Sequence, residues 1–287
     1  YMSAEQGYKI GTQIGAMFSP VFASYMLGTV ASMQGDYEDA LRWQERGFEG
    51  AQVMMSVMPF MAVLPLGSLG TICLNISEKL QDRTVQYHTQ ALEILNTPVG
   101  GMAAASGYSD LGFCALELGY PDLAADYFER GLNHPSVSMY LARPALLAGS
   151  GLVALVRNQP EEAGMRISAA RAYAREHEML HFYPLIDLIA GHISAGTGQH
   201  ETALEQFNRA EELALDMKMR PTVWQARAGA ARVLSMLGHE SEAAEKRRQA
   251  AEMIEEIGSL FQSQEYRTLF LESAHRKLRA TVGEMVA

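Results

Sequence analysis

Residues 177–181 read HEMLH, which matches the pattern H-E-x-x-H of zinc peptidases. Two histidines one helical turn apart can bind a metal, and the glutamate between them can act on a bound water. Asp187 follows where a third ligand could lie. This chemistry needs His177 and His181 on one unbroken helix, so the elements around them decide the interpretation.

A period of about forty residues runs through most of the chain. The segment GDYEDALRWQERGF (35–48) aligns without a gap with GYPDLAADYFERGL (119–132). Related segments begin at residues 158, 198 and 238, with Asn158 in the place of the glycine. Seven residues before these segments lies another small residue within an apolar stretch. Each unit is therefore predicted to be a helix A, a short turn and a helix B.

Small residues recur at fixed positions of the two predicted helices. Their expected role is to let neighbouring helices approach closely, because a larger side chain would overpack the contact. The residues assigned to this packing role are Gly28, Gly35, Ala40, Gly47, Gly112, Gly119, Ala124, Gly131, Gly151, Ala163, Ala170, Gly191, Gly198, Ala203, Ala210, Gly238, Ala243 and Ala250.

The same register reinterprets the zinc pattern. Forty residues after HEMLH the chain reads MKMRP (217–221), so Pro221 is the counterpart of His181. Proline favours a helix boundary, which predicts that His177 ends a helix B and that His181 lies in the linker to the next helix A. A zinc metallopeptidase acting through His177, Glu178 and His181 then remains only a remote alternative.

The register divides the chain into an array over residues 1–258 and a C-terminal capping helix and tail over 259–287. A partial repeat, which aligns with helix B of later units, occupies residues 1–16. The second repeat is degenerate and carries about two extra residues in its turn, 75–81. The six predicted repeats span about 17–58, 59–98, 99–135, 136–178, 179–218 and 219–258.

Composition narrows the functional classes. The formal net charge is −10, and an acidic chain repels phosphate backbones, so no nucleic-acid partner is expected for this segment. Cys73 and Cys114 lie in apolar stretches and suggest no disulfide framework, which fits a cytoplasmic setting. The sequence contains no phosphate-binding glycine loop or nucleophile elbow, so no enzyme activity, catalytic residue, metal, cofactor or membrane partner is expected.

The grid of small residues resembles the tetratricopeptide repeat (TPR) superfamily. The matching positions are Leu27-Gly28, Gly35, Tyr37, Ala40 and Gly47, then Leu111-Gly112, Gly119, Ala124, Phe128 and Gly131, then Gly191, Gly198, Ala203, Phe207 and Ala210. The usual period of that family is 34 residues. A period near forty is similar to the TPR regions of bacterial MalT-like regulators and of multidomain ATPase or cyclase signalling proteins.

This resemblance implies an all-α, right-handed superhelical solenoid of antiparallel helix pairs. It implies a non-catalytic scaffold or regulatory module, part of a larger bacterial cytoplasmic protein of signalling or transcription regulation, that binds a peptide or partner domain in its concave groove. A small-molecule effector bound there, as in a MalT-like regulator, is the alternative. The register predicts ten groove residues, which are Tyr25, Thr29, Asn75, Ser109, Phe113, Leu152, Leu188, His192, Arg232 and Met236.

Overall fold

The computed structural model describes residues 2–98, 100–136 and 139–280, and all regular secondary structure within these ranges is helical. The α-helices, in chain order, are α1 (Met2–Gln13), α2 (Phe18–Gln34), α3 (Tyr37–Val53), α4 (Phe60–Ile76), α5 (Gln81–Leu95), α6 (Ala104–Glu117), α7 (Pro121–Asn133), α8 (Met139–Val156), α9 (Pro160–Glu176), α10 (Tyr183–Gly196), α11 (His200–Asp216), α12 (Arg220–Met236), α13 (Glu240–Gly258) and α14 (Gln264–Arg279). Short 3-10 helices lie at Glu78–Leu80, Gly100–Ala103 and Leu180–Phe182.

Helices that follow one another in sequence pack as pairs. These pairs are α2 with α3, α4 with α5, α6 with α7, α8 with α9, α10 with α11 and α12 with α13. Each pair falls within one of the predicted repeat ranges, with the even-numbered helix as helix A. All elements of the described residues are helices, which confirms the all-helical prediction. Helices α1 and α14 flank the six pairs.

The predicted packing glycines of helix A lie directly against helix B of the same pair. In four pairs the side chain facing the glycine comes sixteen residues later, namely Gly28–Gln44, Gly112–Phe128, Gly151–Ile167 and Gly191–Phe207. In the second pair the contact joins Gly70 and His88, eighteen residues apart. The two additional residues fit the predicted insertion in the turn, where the 3-10 helix Glu78–Leu80 lies.

Gly112 offers a direct test of this packing. A Cβ atom built on Gly112 would lie 2.4 Å from Cε1 of Phe128, which is fully buried. We expect Gly112→Ala to lower the free energy of unfolding by about 1–3 kcal/mol, because the ring has to move. Gly164→Ala in α9 is the control, since nothing lies within 4 Å of its Cβ position.

That control should raise stability by roughly 0.5–1 kcal/mol, because alanine is the better helix former. Urea denaturation of both variants measures the two effects. Equal changes in the two variants would contradict the packing role of Gly112.

The A helices form a closed circuit. α2 contacts α4, α4 contacts α6, α6 contacts α8, α8 contacts α10, α10 contacts α12, and α12 contacts α2. At the closing contact, Arg220 Nη1 at the start of α12 donates a hydrogen bond to the carbonyl of Gln34 at the end of α2 (3.0 Å). Gly35 lies against Pro221 and Ile257. The two ends of the array are therefore offset along the helix axes while still in contact.

The capping helix α14 seals this joint. Phe270 is fully buried and lies beside Tyr37 of α3 and Phe261, with ring centroids 5.7 Å and 5.5 Å away. Glu38 of α3 accepts hydrogen bonds from two backbone N–H groups just before α14. The sequence predicted a capping helix over the last apolar face of the array. Helix α14 also packs against α3 and α4, because closure brings the first pairs beside the last.

Ion pairs join successive helix pairs at two equivalent positions with opposite polarity. Asp187 of α10 is fully buried and accepts hydrogen bonds from Arg171 of α9 and Arg209 of α11. One period later, Glu211 of α11 accepts from Arg227 of α12 (2.7 Å) and from Lys246 of α13. The positions of Arg171 and Asp187 thus correspond to Glu211 and Arg227 with the charges exchanged.

One helix of the described residues, α8, is long and apolar enough to cross a bilayer by length and composition. Half of it is buried inside the fold, and its buried residues contribute to two of the apolar clusters of the array.

Candidate functional site

HEMLH lies across a joint between helices, as the register predicted. α9 ends at Glu176, and His177 is its C-terminal cap. Glu178 has a φ of 54°, the left-handed conformation that stops a helix, and its counterpart Lys218 has a φ of 58°. His181 lies on the separate 3-10 helix Leu180–Phe182. The two histidines therefore do not share the unbroken helix that the zinc-peptidase geometry needs.

The neighbours of HEMLH are occupied by other contacts. The His177 ring packs against Tyr173 and Tyr140, with centroids 4.2 Å and 4.9 Å away. Asp187, the third ligand suggested by the sequence, binds two arginines instead. Within residues 2–98, 100–136 and 139–280, no group of three or more His, Cys, Asp or Glu is placed to hold a metal ion.

The inner surface of the circuit is the stronger candidate. In five A helices the residue that follows the packing glycine is half-buried. In α12, where Ala231 takes the place of the glycine, the residue that follows it is half-buried as well. These equivalent residues are Thr29, Thr71, Phe113, Leu152, His192 and Arg232. The sequence prediction contained all of them except Thr71, which was missed because the second repeat is degenerate. Their shared exposure indicates one surface built from all six A helices.

Asp110 lies one turn before Phe113 on α6 and is half-buried like it, and sequence reasoning missed it. Its carboxylate lies over Gly67 of α4, where a Cβ atom would be 2.5 Å from Oδ2. No hydrogen bond or ion pair from the described residues reaches it. Burial raises the pKa of Asp110 to about 7, because the charged form loses solvation. A signal was present in the sequence, since Asp110 is the only charged residue of α6 before Glu117.

Three A helices bring polar groups around Asp110. The charge of Asp110, added to burial, raises the pKa of Tyr25 on α2. One turn after Asp110, Cys114 lies with its Sγ 3.6 Å from Oγ1 of Thr71 on α4. Burial raises the pKa of Cys114 to about 12, so this thiol is neutral. We refer to Tyr25, Gly67, Thr71, Asp110 and Cys114 as the Asp110 recess.

The raised pKa predicts how Asp110 affects stability. An aspartate has a pKa near 3.9 in an unfolded chain, so ionisation of Asp110 should destabilise the fold increasingly as pH rises from about 4 to about 7. We expect Asp110→Asn to raise the free energy of unfolding at pH 8 by roughly 1–3 kcal/mol, after allowance for partial exposure. At pH 4 and below, the two proteins should be nearly equal.

Urea denaturation at pH 4, 6 and 8 measures this difference. A constant difference between Asp110→Asn and the parent protein at all three pH values would contradict a raised pKa at Asp110.

The inner surface also carries two basic side chains, His192 on α10 and Arg232 on α12. Burial and, to a smaller extent, the charge of Arg232 together lower the pKa of His192 to about 3, so His192 is neutral at pH 7. Its ring meets Phe207 edge-on at 5.1 Å. Burial also lowers the pKa of Arg232 to about 10, which leaves this guanidinium charged at neutral pH.

The structure corrects two predicted groove residues. Ser109 is 7% exposed and Leu188 is 6% exposed, so neither offers a binding surface. Their equivalents Ala148 and Ala228 are buried as well, whereas the equivalent residue of α2, Tyr25, is half-buried. The remaining two candidates, Asn75 and Met236, are exposed near the C-terminal ends of α4 and α12.

An open recess of about 290 Å³ also lies outside the circuit, between α7, α8 and α9. Its lining includes Glu129, Arg157, Glu162 and Arg166. The charged groups there are exposed and partly paired, as in the Arg166–Glu162 ion pair at 3.0 Å. Such pairs are common on solvated helix faces, and the recess is a weaker candidate site than the inner surface.

Comparison with known proteins adds no family assignment. No protein-family model matches the chain, and no curated protein sequence matches it. The class that the described residues define is an all-helical protein of packed helix pairs with a continuous inner surface.

Proposed function

We propose that this chain is a non-catalytic binding and regulatory module that holds its ligand on the inner surface of the helical circuit. In this proposal the pairs are six repeats of a right-handed, tetratricopeptide-like superhelix, in a bacterial cytoplasmic signalling or transcription-regulating protein. The observation that carries the proposal is that all six A helices contribute one half-buried residue each to the same surface.

The size of the circuit restricts the ligand. Six helices in contact, with axes about 8–10 Å apart, place those axes about 8–10 Å from the centre. Side chains extend each helix to a radius of about 5 Å, which leaves a bore roughly 6–10 Å wide. A folded partner domain, which the sequence also suggested, does not fit. An extended peptide segment is the first candidate.

A small-molecule effector is the second candidate, and it is favoured by the closing contact between α2 and α12. A circuit of A helices in contact encloses a small ligand laterally, and enclosure is typical of small-molecule sites. In either case, ligand binding would act on the contacts that close the circuit, since these lie at the two ends of the same array. Regulation would then be a shift between the closed circuit and a more open array.

Blocking the bore tests this proposal. Leu152→Trp in α8 should fill the inner surface, whereas Leu123→Trp in α7 adds the same side chain at an exposed outer position. A library of short peptides and of cationic, neutral and anionic small molecules is screened against both variants by saturation-transfer NMR. We expect ligands that bind the parent protein and Leu123→Trp but not Leu152→Trp. Ligands that bind all three equally, or no ligand of any class, would refute the proposal.

A further inference from the structure

We propose that the Asp110 recess binds an alkylammonium group, which is supplied by a lysine side chain of a peptide or by a free organic amine. The inference rests on the proposed function, because it assigns a chemical class to the ligand of the inner surface. It depends on the carboxylate of Asp110, on the lack of a basic partner for it among the described residues and on the groups that surround it.

Asp110 differs from the other acids packed between helices. Asp187 binds two arginines, Glu211 binds Arg227 and Lys246, and Glu78 is paired with Arg276 and Ser273. Asp110 has no hydrogen bond or ion pair with any described residue. A half-buried carboxylate without a partner is costly, and proteins normally satisfy such groups. A cationic ligand supplies the missing partner.

The packing around Asp110 leaves its carboxylate at the helix crossing. Gly67 makes room for it, since a Cβ atom there would clash with Oδ2 at 2.5 Å. Tyr25, whose pKa responds to the charge of Asp110, lies on α2, the A helix beyond α4, and the Phe22 ring lies 6.3 Å from the Tyr25 ring. Aromatic rings beside a carboxylate favour an organic ammonium, because ring faces attract cations.

The charge of the recess selects the type of cation. Asp110 is the single acid in it, and the neighbouring Cys114 and Tyr25 are neutral, so the recess offers one negative charge. A divalent metal ion prefers several oxygen ligands, commonly including more than one carboxylate. An alkylammonium carries one positive charge and an apolar chain, which suits a narrow bore that also includes Phe113 and Leu152.

The titratable groups around Asp110 keep one protonation state between pH 5.5 and pH 8, so Asp110 is the group of the recess that titrates in this range. Burial raises the pKa values of Tyr25 on α2, Cys73 on α4 and Cys114 on α6, so all three stay protonated at pH 5.5–8. Burial lowers the pKa of His88 on α5 to about 4, so its ring, which packs against Gly70 one turn from Gly67, stays neutral. The basic groups of α7 and α8 stack elsewhere, with Arg130 over Tyr108 and Arg143 over Tyr173.

Binding of n-pentylamine is measured by ¹⁵N–¹H NMR titration on the full chain at pH 5.5 and pH 8. The amine keeps its charge over this range, because its pKa is near that of lysine, about 10.4. Ionisation of Asp110 should increase the affinity about 30-fold between the two pH values. N-pentylacetamide is the neutral control ligand, and we expect no binding.

Asp110→Asn keeps the side-chain shape and removes the charge, and we expect at least a tenfold loss of affinity for n-pentylamine at pH 8. Asp216→Asn, at an exposed position of α11, is the matched control and should bind normally. The NMR spectrum of each variant reports its folding. A peptide with one central lysine, compared with its norleucine counterpart, distinguishes the two sources of the ammonium group.

Binding of either the peptide or the free amine, lost in Asp110→Asn, supports the proposal. Failure of both amines, equal affinity in Asp110→Asn, or no rise in affinity with pH would overturn it. In those cases, neutral or anionic ligands displaced by Leu152→Trp would still support the proposed function. The two proposals can therefore fail separately.

Discussion

Replacing Arg171 and Arg209 together with methionine is expected to lower the free energy of unfolding by about 3–5 kcal/mol. Asp187 is 0% exposed, and these two arginines are its ion-pair partners in the described residues. Without them, a buried carboxylate is left uncompensated. Urea denaturation at pH 7 measures the change.

Exposed ion pairs provide the control for this effect. Arg166→Met together with Arg248→Met removes arginines that pair with exposed glutamates of their own helices. We expect that double variant to lose less than about 1 kcal/mol, because exposed pairs contribute little. Similar losses in the two double variants would contradict a special role for Asp187.

Adding Asp187→Leu to the Arg171/Arg209 double variant should restore most of the lost stability, because apolar residues can replace a buried ion pair. The array already has an apolar pair at the equivalent positions of two other helices. One period earlier, Leu132 and Leu147 occupy the positions of Arg171 and Asp187 and lie in one apolar cluster. No recovery in the triple variant would show that the site cannot accept an apolar core.

Phe270→Ala in α14 is expected to cost about 3–5 kcal/mol, because a fully buried ring is removed and a cavity remains. The ring packs against Tyr37 and Phe261, so the loss falls at the joint between the first and last helix pairs. Phe18→Ala is the control, since Phe18 is 48% exposed and should cost under about 1 kcal/mol.

Opening of the joint gives a second measurement for Phe270→Ala. Amide hydrogen exchange should speed up at Gln262 and Ser263, whose N–H groups donate to Glu38, and along α14. Solution scattering should show a larger radius of gyration if the circuit opens. Unchanged exchange and an unchanged radius in Phe270→Ala would contradict the role of α14 in closing the array.

Much of the fold could be predicted because its determinants are local and periodic. A residue in the left-handed conformation ends helix A before the turn at Gly35, Gly119, Asn158 and Gly198, positions that the sequence alignment had already matched. The contacts of the packing glycines with helix B could be predicted in the same way, because these glycines recur at the same position of successive helix pairs. The register also placed HEMLH at a joint rather than on a single helix.

Part of the inner surface followed from this periodicity, and part did not. Thr29, Phe113, Leu152, His192 and Arg232 were predicted because they share one register position. Asp110 was missed because it lies two residues before the packing glycine of α6. The equivalent residues of the other A helices are uncharged, so the repeat pattern did not point to this position. Its importance depends on the absence of a partner within contact distance in the part of the chain that the structure describes, and a sequence does not report distances between helix pairs.

The sequence by itself determined the helices, their pairing and the turns, because each depends on residues within about forty positions of one another. Closure was decided only by the tertiary structure. Small rotations between successive pairs add up along an array, and their sum brings Arg220 to Gln34 and Phe270 to Tyr37. No single repeat encodes that sum, so the change from an open groove to a narrow bore could not be predicted from the repeat pattern.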